Sequence, residues 1–272
     1  MTRMTCASAV VAALLATGCI QSSTLIKVKA DGSGTIEQEM LAGSGMMSMM
    51  EGMAGENRES GEMFDEESMR RAGEKLGEGV RFVSHEPIER SGMKGARAVF
   101  AFDDINAVKV RQTPDLPGAG GDDVTATEPE FTLTLERRGS GRVLTIATPE
   151  PKAGEGEMPG EVPEMPDVPE AIPPEAMGMM KMMFQNLKVG VAVEVDGEIV
   201  RTNAQHREGS RVTIVEVDFN ELMKDEASFK AIQGKIGPGA TPADLRDTLQ
   251  NLKGVKVNTD RVITIEWKEG PA

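Results

Sequence analysis

The chain has 272 residues and a formal charge of -14, with 8 Phe, 1 Trp and no Tyr. Binding to nucleic acid needs clustered Lys and Arg to neutralise phosphates, so this balance argues against it, and against electrostatic adhesion to anionic lipid. With so few aromatics, the core has to come mostly from Val, Ile, Leu and Met.

The first element is a targeting signal. Arg3 supplies a positive start and Ala7 to Ala16 an apolar run too short to span a bilayer. Small residues Ala16, Thr17 and Gly18 then precede Cys19, the pattern of a bacterial lipoprotein signal, with Ala16 where such signals usually carry Leu. On this reading residues 1–18 are removed and Cys19 is acylated, becoming the first residue of the mature protein. An ordinary secretory signal with an incidental cysteine is the competing reading. Cys6 leaves with the signal, so the mature protein holds no disulfide, no thiol nucleophile and no cysteine metal site. Ile20, not Asp, follows the cysteine, which favours the outer membrane in a cell with two membranes. No later run reaches about 18 apolar residues, so nothing else in the sequence reads as a spanning helix.

Residues 19–23 read as a short lipidated tether, holding the body close to the bilayer. Thr24–Lys29 and Thr35–Met40 alternate as strands about the turn Asp31-Gly32-Ser33-Gly34. Met46, Met47, Met49, Met50 and Met53 follow at helical spacing, and a capped helix is expected from Asp65 to Leu76. Val80–Val83 and Ala96–Phe102 read as strands. Residues 112–129 read as a loop, and Phe131–Leu135 with Val143–Ile146 as a second hairpin.

Residues 149–175 contain eight prolines and eight acidic side chains. Such a segment cannot bury enough surface to offset its ordering entropy, so it reads as a disordered insertion between 24–148 and 176–272. A helix opens at Pro173-Pro174, with Met177, Met180, Phe184 and Leu187 on one stripe. Val189–Val195 and Glu198–Arg201 read as a hairpin about Asp196-Gly197, and Arg211–Val217 as a strand. Helices are expected from Asp218 to Ile232 and from Thr241 to Leu252, before a last strand Val262–Trp267. Hairpins dominate, so the expected fold is α+β: a mainly antiparallel sheet with helices packed on one face, closed by the first and last strands. A division into two domains at the insertion is the alternative.

No nucleophile elbow, P-loop, dinucleotide fingerprint or zinc-protease motif is present. The lone His85 and His206, the pairs Asp103-Asp104 and Asp122-Asp123, and the Asp31 turn read as solvated or structural groups. The expectation is therefore a protein that is not an enzyme and needs no cofactor. The chemical oddity is methionine. Met46, Met49 and Met50, with Met179, Met180 and Met183, place thioethers that could hold Cu(I) or Ag(I). The preferred reading is adaptable apolar surface, lining a groove for an acyl chain or a partner's apolar helix.

Gly18-Cys19, followed by Leu25–Ile36 with its Asp-Gly-Ser-Gly turn, resembles a loose group of uncharacterised bacterial lipoproteins. In these a lipidation signal leads directly into a strand, that turn and a second strand. Val195–Ala204 is similar to their later hairpin, and the chain looks distantly like the LppM-type lipoproteins of mycobacteria. The resemblance implies a helix-on-sheet domain able to contact lipid, and brings no catalytic residues. The expected protein is an envelope lipoprotein facing the periplasm, binding or structural in role, with copper or silver handling as the alternative.

Overall fold

This computed structural model describes residues 20–45, 47, 64–111, 130–139, 141–148, 186–224, 252–258 and 260–269. Outside them lie Cys19, all six candidate metal-ligating methionines, Asp122-Asp123, the segment 149–175, and most of the helices expected at 173–187 and 241–252.

Alternating apolar side chains build the first sheet. β1 (Ile20–Val28) and β2 (Gly34–Gly43) form the expected hairpin, whose turn is fixed by Asp31 Oδ1 accepting from the backbone and side chain of Ser33. β3 (Arg81–Arg90) and β4 (Met93–Phe102) form the next hairpin, and β4 pairs with β2. On the other side of β1 lies β8 (Lys188–Val195), running parallel to it. β11 (Arg211–Asp218) continues the sheet beside β8 and carries the short strands β10 (Arg207–Glu208) and β12 (Val255–Val257). A bulge interrupts β11 between Thr213 and Val215.

The second sheet takes its strands in the order β5 (Val110–Arg111), β6 (Glu130–Arg138), β7 (Gly141–Ala147), β13 (Val262–Lys268), β9 (Glu198–Thr202). Its inner residues Leu133, Leu144, Ile146, Ile263, Ile265 and Trp267 share one buried cluster with Ile26, Val28, Ile36, Phe100, Val193 and Val212 of the first sheet. The helix α1 (Glu66–Glu74) is capped by Asp65, whose side chain accepts from the Ser68 amide, and adds Met69 to the same cluster.

The expected α+β arrangement is thus corrected. The described residues are mostly β, in two sheets, and the α-helices that lie wholly among them are α1 and the six-residue α2 (Phe219–Lys224). What covers the inner face of the first sheet is chiefly a second sheet. The expected strands are present, with β3 running on to Arg90 and β5, β10 and β12 in addition, but alternation says only that one face is buried, and not what lies against it. The supposed hairpin at Asp196-Gly197 is the clearest case. β8 pairs with β1 and β11, whereas β9 pairs with β13 in the other sheet. The first and last strands likewise belong to different sheets.

Candidate functional site

Register defines one end of the first sheet. Ile20 pairs with Ala42, which pairs with Lys94, so the starts of β1 and β4 and the end of β2 form one row. Gln21 pairs with Lys188, which pairs with Asp218, bringing the start of β8 and the end of β11 to the same end. Residues 20–23, read from sequence as a tether, lie within β1, and Ile20 and Ser22 are buried. The candidate acylation site Cys19 is outside the described residues but is bonded to Ile20, the first paired residue of a central strand.

This end has its own small apolar cluster, separate from the main core. Ile20, Ala42, Phe64 and Ala96 form it, with Met40, Met47 and Leu187 packed half-buried against them. Met47 is a neighbour in sequence of the candidate ligands Met46 and Met49, and Leu187 lies four residues after Met183. Met47, just after β2, and Leu187, just before β8, therefore meet at one cluster from the two strands that flank β1. The six methionines themselves are outside the described residues. A third cluster, Leu222, Leu252 and Val255 with Phe219 against it, lies beyond β11.

On the outer face of the same sheet is a shallow groove of about 220 Å³. Its floor is made of small side chains, Ser23, Gly190, Ala192 and Thr213. One wall is Glu39 with Arg90, paired at 2.7 Å. The other is Glu216 and Lys188; Glu216 is also held by Lys256 at 3.1 Å, and Lys188 Nζ lies 3.4 Å from Asp218. The groove is smaller than ordinary small-molecule sites, which start at roughly 300 Å³, and its ridges are ion-paired. It is polar at its walls, and its described lining residues include no methionine.

The remaining candidate groups have structural duties. Asp103 pairs with Arg81 through two hydrogen bonds, and Asp104 accepts from the Asn106 amide at a 3-10 turn over Ile105–Ala107. The Arg81 hydrogen bonds hold the Asp103 carboxyl below the usual carboxylate range. His85 Nε2 lies 2.6 Å from the Phe64 carbonyl oxygen, tying β3 to the start of α1. Among the described residues no group of three or more His, Cys, Asp or Glu could hold a metal ion. No helix described is long and apolar enough to cross a membrane.

Sequence reasoning missed the groove. Its residues come from Ser22-Ser23-Thr24 and Gly190-Val191-Ala192, two runs whose small side chains alternate with core positions. They meet only through the parallel pairing of β1 with β8, strands more than 150 residues apart.

No family model and no curated protein matches the chain. Among solved structures it has a distant match to the folded domain of the Mycobacterium tuberculosis LppM protein, solved by NMR. The identity is 11% and the TM-score 0.32, over 93% of this chain and 92% of that one.

Proposed function

We propose that this chain is a bacterial envelope lipoprotein, held to its membrane by acyl groups on Cys19 and facing the periplasm. It acts as a binding or structural component, not as an enzyme. The observation that carries this reading is the run Leu14–Cys19, with its small residues before the cysteine, leading straight into the folded body at Ile20. A non-catalytic role is supported by Asp31, Asp65, Asp103, Asp104 and His85, which make turn, cap and bracing contacts in the fold. Labelled palmitate should enter the wild-type protein and be lost in Cys19→Ala; equal labelling of the two would sink the anchoring claim.

The ligand best suited to the anchor end is apolar: an acyl chain or a partner's apolar helix. Met40, Met47 and Leu187 are only half-buried there, and thioether side chains adapt to irregular apolar shapes. Handling of Cu(I) or Ag(I) is the second reading, favoured by the thioethers repeated through the two Met-rich stretches, whose sequence neighbours Met47 and Leu187 share one cluster. Titrating the form that begins at Ile20 with Cu(I), and separately with a fluorescent fatty acid, distinguishes them. Fatty-acid binding should survive changing Met46, Met49, Met50, Met179, Met180 and Met183 to Leu, which keeps the apolar surface and removes the sulfur. Tight Cu(I) binding abolished by those changes would replace the first reading with the second.

A further inference from the structure

The register of β1 leaves no slack between the anchor and the fold. Ile20 is already paired with Ala42, and Gln21 with both Leu41 and Lys188. One peptide, about 3.8 Å between Cα atoms, separates the first paired residue from Cys19. A lipoprotein whose cysteine carries acyl chains holds that residue at the level of the lipid headgroups, a layer roughly 5–7 Å deep on each side of the hydrocarbon. β1 is also central, flanked by β2 and β8, so it cannot peel away as a linker without breaking the sheet.

We propose that the protein stands end-on in its membrane, with the end of the first sheet where β1 begins seated in the phospholipid headgroup layer. This rests on the acylation of Cys19 put forward above. The seated surface comprises the β3–β4 turn at Ser91-Gly92 and the start of β8, with Lys94 and Lys253 exposed beside them. Among the described residues there, opposite charges pair off: Glu89 is exposed opposite Lys94, Asp218 is paired with Lys188, and Glu221 with Lys224. These described groups therefore add little net repulsion toward an anionic surface. The half-buried Met40, Met47 and Leu187 then open at the bilayer, so an apolar ligand is exchanged with the lipid phase and not drawn from bulk water. The β1–β2 turn stands at the far end, about 30 Å away along the strand.

The test uses the full chain, acylated in cells and reconstituted in phosphatidylcholine–phosphatidylglycerol vesicles. Cys6 is lost with the signal and Cys19 is blocked by acylation, so a single introduced cysteine can be labelled alone. Ser91→Cys and Lys29→Cys place a fluorophore at opposite ends, both at exposed turn positions. A headgroup-attached quencher should quench the label at Ser91 several-fold more than the label at Lys29. Inserting a long Gly-Ser linker after Cys19 should erase that difference. Equal quenching at the two positions in the unmodified protein, or stronger quenching at Lys29, overturns the end-on seat while leaving anchoring intact. A difference that persists with the linker overturns the claim that the missing tether sets the orientation. Lack of palmitate in the same samples removes the anchor itself, and the seat with it.

Discussion

At the scale of single residues, the described polar groups brace strands. Glu37 sits on the outer face of the first sheet between Lys27 and Arg97, with only 16% of its side chain exposed. Burial pushes its pKa up, but the hydrogen bonds and charges of Lys27 and Arg97 outweigh this and hold it below 4.5. A carboxylate whose folded pKa is depressed contributes stability above its unfolded pKa, and that stability fades as pH falls through the folded value. Glu37→Gln should therefore cost about 1 kcal/mol near neutral pH, discounted for the half-exposed cations, and less at about pH 3, below the ordinary glutamate range. Urea midpoints at the two pH values test this; an equal loss at both would show that packing, not charge, is at stake. Asn258 has a different duty. Its Nδ2 donates to the Thr213 and Ile214 carbonyls at 2.9 and 3.0 Å, and its Oδ1 accepts from the Gln205 amide at 2.9 Å. It thus satisfies carbonyls at the bulge of β11, where the ladder with β8 is interrupted at Ile214. Asn258→Ala should lower stability by about 2 kcal/mol, read as a fall in Tm, and speed amide exchange at Gln205.

At the scale of elements, two glycines decide how pieces meet. In α1, a Cβ on Gly73 would clash with the Phe100 ring, so the helix can lie on β4 only because that side chain is missing. Gly73→Ala would ordinarily help an isolated helix by about 0.5–1 kcal/mol. Here overpacking should win, for a net loss of about 1–3 kcal/mol in denaturant unfolding. A gain in stability would show that α1 does not press on Phe100. At the corner between β8 and β9, Gly197 has φ +153° and passes so close to β13 that a Cβ would clash with the Lys268 carbonyl oxygen and lie 2.9 Å from Trp267 Cδ1. Trp267 is fully buried and is the one tryptophan in the chain. Gly197→Ala should therefore force the two sheets apart at this corner and shift the emission of the folded protein to the red. Unchanged emission with unchanged stability would mean that the corner tolerates a side chain.

At the scale of the whole molecule, each sheet takes strands from both sides of segment 149–175. β8 from the later part pairs with β1, and β13 pairs with β7. A protease site engineered into that segment should give two pieces that elute together on size exclusion, because parting them would break both sheets. Separation without denaturant would show the later part to be a domain of its own.

The amino-acid sequence by itself determined most local structure. The Asp31 turn, the Asp65 cap and the alternation in β1, β2, β6, β7, β11 and β13 all act within a few positions of one another, where steric and hydrogen-bonding rules are strong. The tertiary structure alone decided three things. It set β8 parallel to β1, it sent β9 into a second sheet past Gly197, and it gathered Ser23, Gly190 and Ala192 into one groove and Ile20, Met47 and Leu187 into one cluster. An alternating strand specifies a buried face, but several partners offer an equally apolar surface to it. The choice among them is made by long-range packing, such as Phe100 over Gly73 and Trp267 against Gly197, between residues that no local pattern connects.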